Sequence, residues 1–276
     1  MKITASLVNE LRKKTGAGMM DCKKALVEAD GDMETAIDLL RKKGQKVAAK
    51  RGDNETKEGL VIAKTIEGNK KGVILSLACE TDFVAKNSDY YALVDSLVDA
   101  AIANNVTSVD EFKTSNFDDK LTVEEKLTEQ IGVIGEKLEL TNLNVIEAES
   151  VVAYNHPGNQ IASIVGLTKE GDTAADAGRQ VAMQIAAMAP IALNKDQVDQ
   201  ETIDRELEVG KELAIQEGKP VEMADKIAQG RLNKFFKENT LLSQPFIKDN
   251  KKSVEQFLNE SEAGLTVQDF KRVALK

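Results

Sequence analysis

The chain has 276 residues, 42% of them hydrophobic and 30% charged, with a net charge of −9. That length buries a sizeable core with room for more than one structural unit, and the acidic balance argues against a general nucleic-acid binder. No apolar run is long enough to cross a bilayer, a single histidine excludes a two-histidine metal site, and two distant cysteines fit a reduced cytoplasmic setting.

The start, Met1-Lys2-Ile3-Thr4, runs straight into a helix pattern and does not read as a signal peptide. Residues 1–53 read as a small three-helix unit. Thr4 caps a first helix carrying Leu7, Val8 and Leu11, which Gly16 stops. A second helix places Met19, Cys22, Ala25, Leu26 and Ala29 on one stripe as far as Gly31. Asp32 caps a third with Met33, Ala36, Ile37 and Leu40, ending at Gly44. Stripes of this kind let short helices bury one another. Met20 falls off the stripe, beside Lys23 and Lys24, where an exposed methionine is an adaptable contact for a partner. Lys42 to Lys57 is polar and reads as a linker or a partly helical arm.

The period then changes. Gly59 to Ile66 is strand-like, Gly68 to Gly72 is a turn and Val73 to Ala78 is a second, buried strand. Directly after it comes Cys79-Glu80-Thr81-Asp82-Phe83-Val84-Ala85-Lys86, with a carboxylate and a scarce aromatic side by side where the strand ends. Strand ends are where a rigid scaffold presents working side chains. The same residues also read as a capped helix start, with Thr81 or Asp82 as N-cap and Phe83 in the core. A helix from Ser88 to Ala103 follows, with Tyr91, Val94, Leu97, Val98 and Ala101 on its apolar face, and Leu121 to Ile134 reads as another, ending near Gly135.

The plan recurs. Glu149 to Tyr154 is a strand, His156-Pro157-Gly158-Asn159 a turn, Ile161 to Leu167 a strand and Thr173 to Met188 a helix, an internal duplication of a ββα unit. From Asp196 to Lys237 the pattern is helical, broken at Gly218-Lys219-Pro220, which makes an antiparallel hairpin. Its short arms need the core or a second copy to bury their stripes. A short helix around Ser253 to Leu258 and a strand from Leu265 to Leu275 close the chain. The fold class is α+β, with units at 1–53, 54–140, 141–195 completed by 239–276, and 196–238.

There is no P-loop and no dinucleotide fingerprint. A nucleophile–histidine device would rest on His156 alone. The pairs Glu124-Glu125 and Asp118-Asp119 lie in charged stretches that read as solvated faces. The chain reads as a binding protein before it reads as an enzyme.

Thr15-Gly16-Ala17-Gly18-Met19-Met20-Asp21-Cys22-Lys23-Lys24-Ala25-Leu26 and Thr81-Asp82-Phe83-Val84-Ala85-Lys86 resemble closely the signatures of the bacterial-type elongation factor Ts family. Ile134-Gly135-Glu136, His156 with Gly158, and Gly218-Lys219-Pro220 match less strongly. The resemblance spans nearly the whole chain. It implies a ubiquitin-associated-like (UBA-like) three-helix domain, two related α+β subdomains and a projecting helical hairpin that serves dimerisation in some members. It implies guanine nucleotide exchange on elongation factor Tu, bound in its nucleotide-free and GDP-bound forms, without a cofactor, a metal, direct nucleic-acid contact or a membrane. Asp82 and Phe83, with Thr81 and Val84 around them, would push into the partner's GTPase domain and disturb its Mg²⁺ and phosphate region. Arg12, Met19, Met20 and Lys23 would make N-terminal contacts, Arg51 a linker contact, Ile134 and Gly135 a helix-end contact, and His156 a contact beside the nucleotide side. The family commonly adds a short helix after the last strand; this sequence ends at Lys276, so that contact is expected to be absent or replaced. Pro157 also departs from the pattern next to His156. A second reading is a non-catalytic chaperone or scaffold partner of a translation factor, which would not need Asp82-Phe83 at a strand end.

Overall fold

The computed structural model describes residues 3–66 and 68–275; Met1, Lys2 and Lys276, at the outer ends of the expected units, lie outside the described residues. The first three helices are α1 (Ala5–Thr15), α2 (Met19–Glu28) and α3 (Met33–Arg51). The Thr4 hydroxyl accepts the Leu7 N–H at the start of α1, left-handed Gly16 ends it, and the Asp32 carboxylate caps α3 at the Thr35 N–H. These are local signals, which is why they read directly from sequence. Val8, Leu11, Cys22, Ala25, Leu26 and Ala36 form the shared core of this unit.

Then follow β1 (Glu58–Ile66), β2 (Lys71–Cys79), the single turn α4 (Asp82–Ala85), α5 (Ser88–Ala103), α6 (Val109–Thr114), α7 (Val123–Ile134) and β3 (Glu139–Glu147). The second half holds β4 (Ser150–Asn155), β5 (Ile161–Leu167), α8 (Asp172–Met188), α9 (Gln200–Gln216), α10 (Val221–Asn239), β6 (Pro245–Phe246), β7 (Asp249–Ser253), α11 (Val254–Ser261) and β8 (Val267–Ala274). Two three-stranded antiparallel sheets, β1-β2-β3 and β4-β5-β8, make the fold α+β.

The sheets stack face to face between helices. β2 is buried along its whole length. Val73, Leu75, Leu77 and Cys79 face Tyr90, Val94 and Leu97 of α5 and Leu127 and Ile131 of α7. On the other side Ile74 joins Val61, Ala63 and Ile146 against Val151, Ala162, Ile164 and Val273 of the second sheet. Behind that sheet Val165 and Leu167 pack on Ala177, Val181 and Ile185 of α8. Burial of both faces explains why β2 and β5 read as continuous apolar runs.

Four expectations change. α3 does not stop at Gly44 but continues to Arg51, so the stretch from Lys42 to Lys57 is the partly helical arm rather than a linker. Gly44 serves packing instead: a Cβ there would lie 2.5 Å from the Thr128 carbonyl oxygen of α7, and one on Gly132 would lie 2.7 Å from the Gly44 Cα. The extended end of α3 packs Val47 and Ala48 on the core of the first sheet. β3 was not expected; it crosses the 140/141 division and pairs with β2, so it lies wholly in the first sheet. On α5 the buried tyrosine is Tyr90, whose hydroxyl donates to the Leu77 carbonyl at 2.8 Å, while Tyr91 is exposed. Met19, expected on the buried stripe, is 55% exposed, because the core beneath that stripe begins one turn later at Cys22.

Candidate functional site

β2 ends at Cys79 and the chain turns at once into α4. Thr81 is the N-cap, its hydroxyl accepting the Val84 N–H at 3.5 Å. The two readings of this stretch are resolved together: the cap exists, and Phe83 points away from the core. Phe83 is 85% exposed, more than any other large apolar side chain among the described residues. Val84 and Ala85 pack against the core. Asp82 is also outside, its carboxylate 2.6 Å from the Lys86 ammonium. The hydrogen bond and charge of Lys86 hold the Asp82 carboxyl below its usual range, so the turn presents an anion beside an aromatic ring.

The support beneath this turn comes from the loop between α7 and β3. Gly135 ends α7 in the left-handed region with φ 81°, which sends the chain back toward the end of β2. There the Glu136 carboxylate accepts the N–H of Glu80 at 3.1 Å, the N–H of Thr81 at 3.0 Å and the Thr81 hydroxyl at 2.6 Å. The Glu80 carboxylate in turn accepts the Lys137 N–H at 2.6 Å, the Asn54 amide at 2.9 Å and the Arg51 guanidinium at 2.8 Å. Burial pushes the Glu80 carboxyl upward, but the bonds from Lys137, Asn54 and Arg51 outweigh it and hold the group below its usual range. Burial pushes the neighbouring Cys79 thiol up to about 11, so it is protonated and unreactive at neutral pH.

The other expected residues fall at four places. Met19, Met20 and Lys23 are exposed on α2, with Met20 at 62%, and Arg12 is exposed on α1. Met20, Lys23, Lys24 and Val27 line one shallow surface there. Ile134 and Gly135 end α7 beside a groove of about 460 Å³ lined by Gly16, Val84, Tyr90, Gln130, Val133 and Ile134. That groove brings the three-helix unit, the helix end and the Asp82-Phe83 turn to one side of the molecule. Arg51 is placed differently from a free surface contact: its guanidinium is committed to Glu80.

His156 sits in the β4–β5 turn, exposed, with its Nδ1 3.0 Å from the Tyr154 hydroxyl. The turn is fastened to the outer edge of β1. The Asn155 side chain accepts the Ala63 N–H at 2.8 Å and donates to the Ala63 carbonyl at 2.9 Å, and the Val61 N–H reaches the Asn159 carbonyl. An asparagine thus pairs an edge that would otherwise stay open. Glu58 of β1 pairs with Cys79 on one side and receives the Gln160 amide at 3.5 Å on the other, so β1 lies between the end of the β4–β5 turn and the end of β2.

Sequence reasoning missed Glu80, Asn54, Glu136 and Lys137 as the frame of the site. The signal available was position alone, since Glu80 precedes Thr81 and Glu136 follows the Ile134-Gly135 pair. Among the described residues no three His, Cys, Asp or Glu side chains converge where they could hold a metal ion.

Residues 80–276 match the family model described as Elongation factor TS. Over 274 residues and 99% of both chains, the sequence is 55% identical to elongation factor Ts of Christiangramia forsetii and 50% identical to that of Amoebophilus asiaticus. It is 43% identical over 275 residues to elongation factor Ts of Porphyromonas gingivalis, covering 100% of this chain and 99% of the other. The family model begins at the turn itself, and these relatives extend the similarity through the three-helix unit.

Proposed function

The chain belongs to the elongation factor Ts family, and from that premise we propose that it is the guanine nucleotide exchange factor of elongation factor Tu, acting through the Asp82-Phe83 turn. The observation that carries this reading is Phe83, an aromatic ring held 85% exposed on a braced turn at a strand end. Such a ring is a wedge for a partner rather than part of this protein's own core. Met19, Met20 and Lys23 on α2, Arg12, the Ile134-Gly135 helix end and His156 provide further contacts, and Thr81 and Val84 frame the wedge. Arg51 acts from beneath, through Glu80.

The three-helix unit is read as UBA-like, the two sheets with their helices as related halves of a duplicated core, and the α9–α10 hairpin as the projecting arm. Val209, Leu213, Ile215, Val221 and Met223 are exposed on that arm, which supports a homodimer built through it. The reading places the factor in the cytoplasm.

Exchange needs no chemical step. A GTPase of this type holds its nucleotide through backbone amides, a lysine and Mg²⁺. The Mg²⁺ ion carries much of the local charge, so disturbing its site weakens the hold on the phosphates. Phe83, inserted near that site, stabilises the disturbed form, while Asp82 disfavours nearby phosphate by charge. The factor must then bind nucleotide-free partner more tightly than nucleotide-bound partner, and linkage requires nucleotide to weaken factor binding by the same ratio. Titration calorimetry with nucleotide-free and GDP-loaded elongation factor Tu tests this directly. Tighter binding to the nucleotide-free form is expected. Equal affinity for both forms would leave the factor unable to shift the equilibrium and would refute exchange.

A further inference from the structure

We propose that Glu136 and Glu80 are positioning residues that aim Phe83, forming a reciprocal carboxylate clasp between the wedge turn and the α7–β3 loop; this rests on the exchange-factor reading. Two observations lead to it. First, Phe83 is 85% exposed, so little among the described residues packs on its ring and its direction is set mainly by the backbone that carries it. Second, α4 has four residues, and a single turn of helix does not hold itself together in water. The stiffness must come from elsewhere.

The hydrogen bonds identify the source. Each loop lends a carboxylate to the backbone of the other. Glu136, from the α7–β3 loop, takes the N–H groups of Glu80 and Thr81. Glu80, from the wedge loop, takes the N–H of Lys137. Glu136 Oε1 also takes the Thr81 hydroxyl proton, which leaves that hydroxyl oxygen as acceptor for the Val84 N–H inside α4. The cap of the wedge turn is therefore set through Glu136. Bonds to an ionised acceptor are the stronger kind, and backbone N–H donors cannot rotate away from it.

The clasp also has a reach. Glu80 holds Arg51 at the end of α3 and Asn54 beyond it. α3 is packed on α2, which carries Met20 and Lys23. One carboxylate thus ties the wedge to the helix whose outer face is the second contact surface. The two surfaces are held at a fixed separation, and preorganisation of this kind lowers the cost of binding both at once.

The test compares wild type with Glu136→Ala, Glu136→Gln and Thr81→Ser, in two measurements on the full chain. Amide hydrogen exchange in the free protein reports the clasp without any partner. GDP release from elongation factor Tu over a range of factor concentrations reports the wedge, as a maximum rate and a half-saturating concentration. For Glu136→Ala we expect exchange at Glu80 and Thr81 to speed up about tenfold or more, with the amides of β2 unchanged. The maximum release rate should fall about tenfold, with half-saturation moved less than about threefold, because the α2 contacts persist. Thr81→Ser, which keeps the hydroxyl, should keep most of the rate, whereas Glu136→Gln, whose carbonyl oxygen still accepts both N–H groups but whose amide nitrogen cannot accept the Thr81 hydroxyl, should recover part of it. A wild-type maximum rate in Glu136→Ala would overturn the proposal. So would faster exchange throughout β2, because the residue would then serve the fold rather than the aim of Phe83. Failure of wild type to speed release at all would refute the exchange-factor reading; the exchange protection of Glu80 and Thr81 would still decide the clasp.

Discussion

Phe83 shows what the site costs the fold. Leaving a phenylalanine in water forgoes about 1.5–3 kcal/mol of burial, a large share of a typical domain's margin. The pair Asp82-Phe83 was legible in sequence as a motif at a strand end, but its direction was not. A capped helix start fits both a buried and an exposed ring, and the choice depends on Glu136, more than fifty positions downstream. Arg51 shows the opposite limit. Its charge reads as an outward contact, and only the fold reveals Glu80 as its partner. Glu80 carries a prediction in pH. Its folded carboxyl lies below its ordinary value of 4.5. Its ionised form therefore adds stability at pH above 4.5, and this is lost as pH falls through the folded pKa. The gap in unfolding midpoint between wild type and Glu80→Gln should be widest at neutral pH and should narrow on acidification below about 4.5. A gap unchanged down to pH 3 would mean that the charge on Glu80 adds nothing.

At the scale of elements, the capped helices α1 and α5 and the strands buried on both faces were read close to their true limits, whereas α3 was cut short and the capped turn α6 was not read. The failures at Gly44 and β3 share one cause, a partner remote in sequence. Gly44 looks like a helix stop, because glycine usually is one; its reason is Gly132, on a helix that starts more than seventy residues later. β3 hides because its inward residues do not alternate. Leu77 pairs with Leu140 and Ser76 with Asn142, which skips Thr141 in a β-bulge, so Leu140 and Leu143 face the same core three residues apart. The glycine contact can be tested against an internal control. Gly230, in α10, has open space where a Cβ would go, whereas a Cβ on Gly132 would meet the Gly44 Cα at 2.7 Å. Gly230→Ala should stabilise by about 0.5–1 kcal/mol through helix propensity. Gly132→Ala should destabilise by about 1–3 kcal/mol, since backbone must move. Chemical denaturation measures both, and equal effects at the two sites would refute the packing role.

For the molecule as a whole, the stacked sheets form the packed centre, and the surfaces proposed to face a partner hang from it. No described helix is long and apolar enough to cross a membrane. The hairpin is rooted rather than loose. The Leu241 and Leu242 N–H groups bond the carbonyls of Ala192 and Leu193, which ties its two ends together. Gly210, Ala214, Ala224 and Ala228 let its arms pack closely. That seam was legible because Ile203, Leu207, Gly210 and Ala214 step by four, three and four along the sequence. The outer apolar residues are not covered by the chain itself, and a second copy is the proposed cover. Sedimentation equilibrium should give the mass of two chains for wild type and of one for Val209→Lys, Leu213→Lys. A monomeric wild type would remove the hairpin dimer from the reading.

The most direct measurement is the release of a fluorescent GDP analogue from bacterial elongation factor Tu, followed by stopped flow. Wild type is compared with Phe83→Ala, and with Asp82→Ala, Phe83→Ala; Phe83 is exposed and Asp82 half-buried, and neither belongs to the buried core. Rapid release by wild type is expected, with the maximum rate reduced about tenfold or more in the double variant while binding through α2 persists. Release no faster with wild type than without it, or as fast with the double variant as with wild type, would contradict the assignment of exchange to this turn.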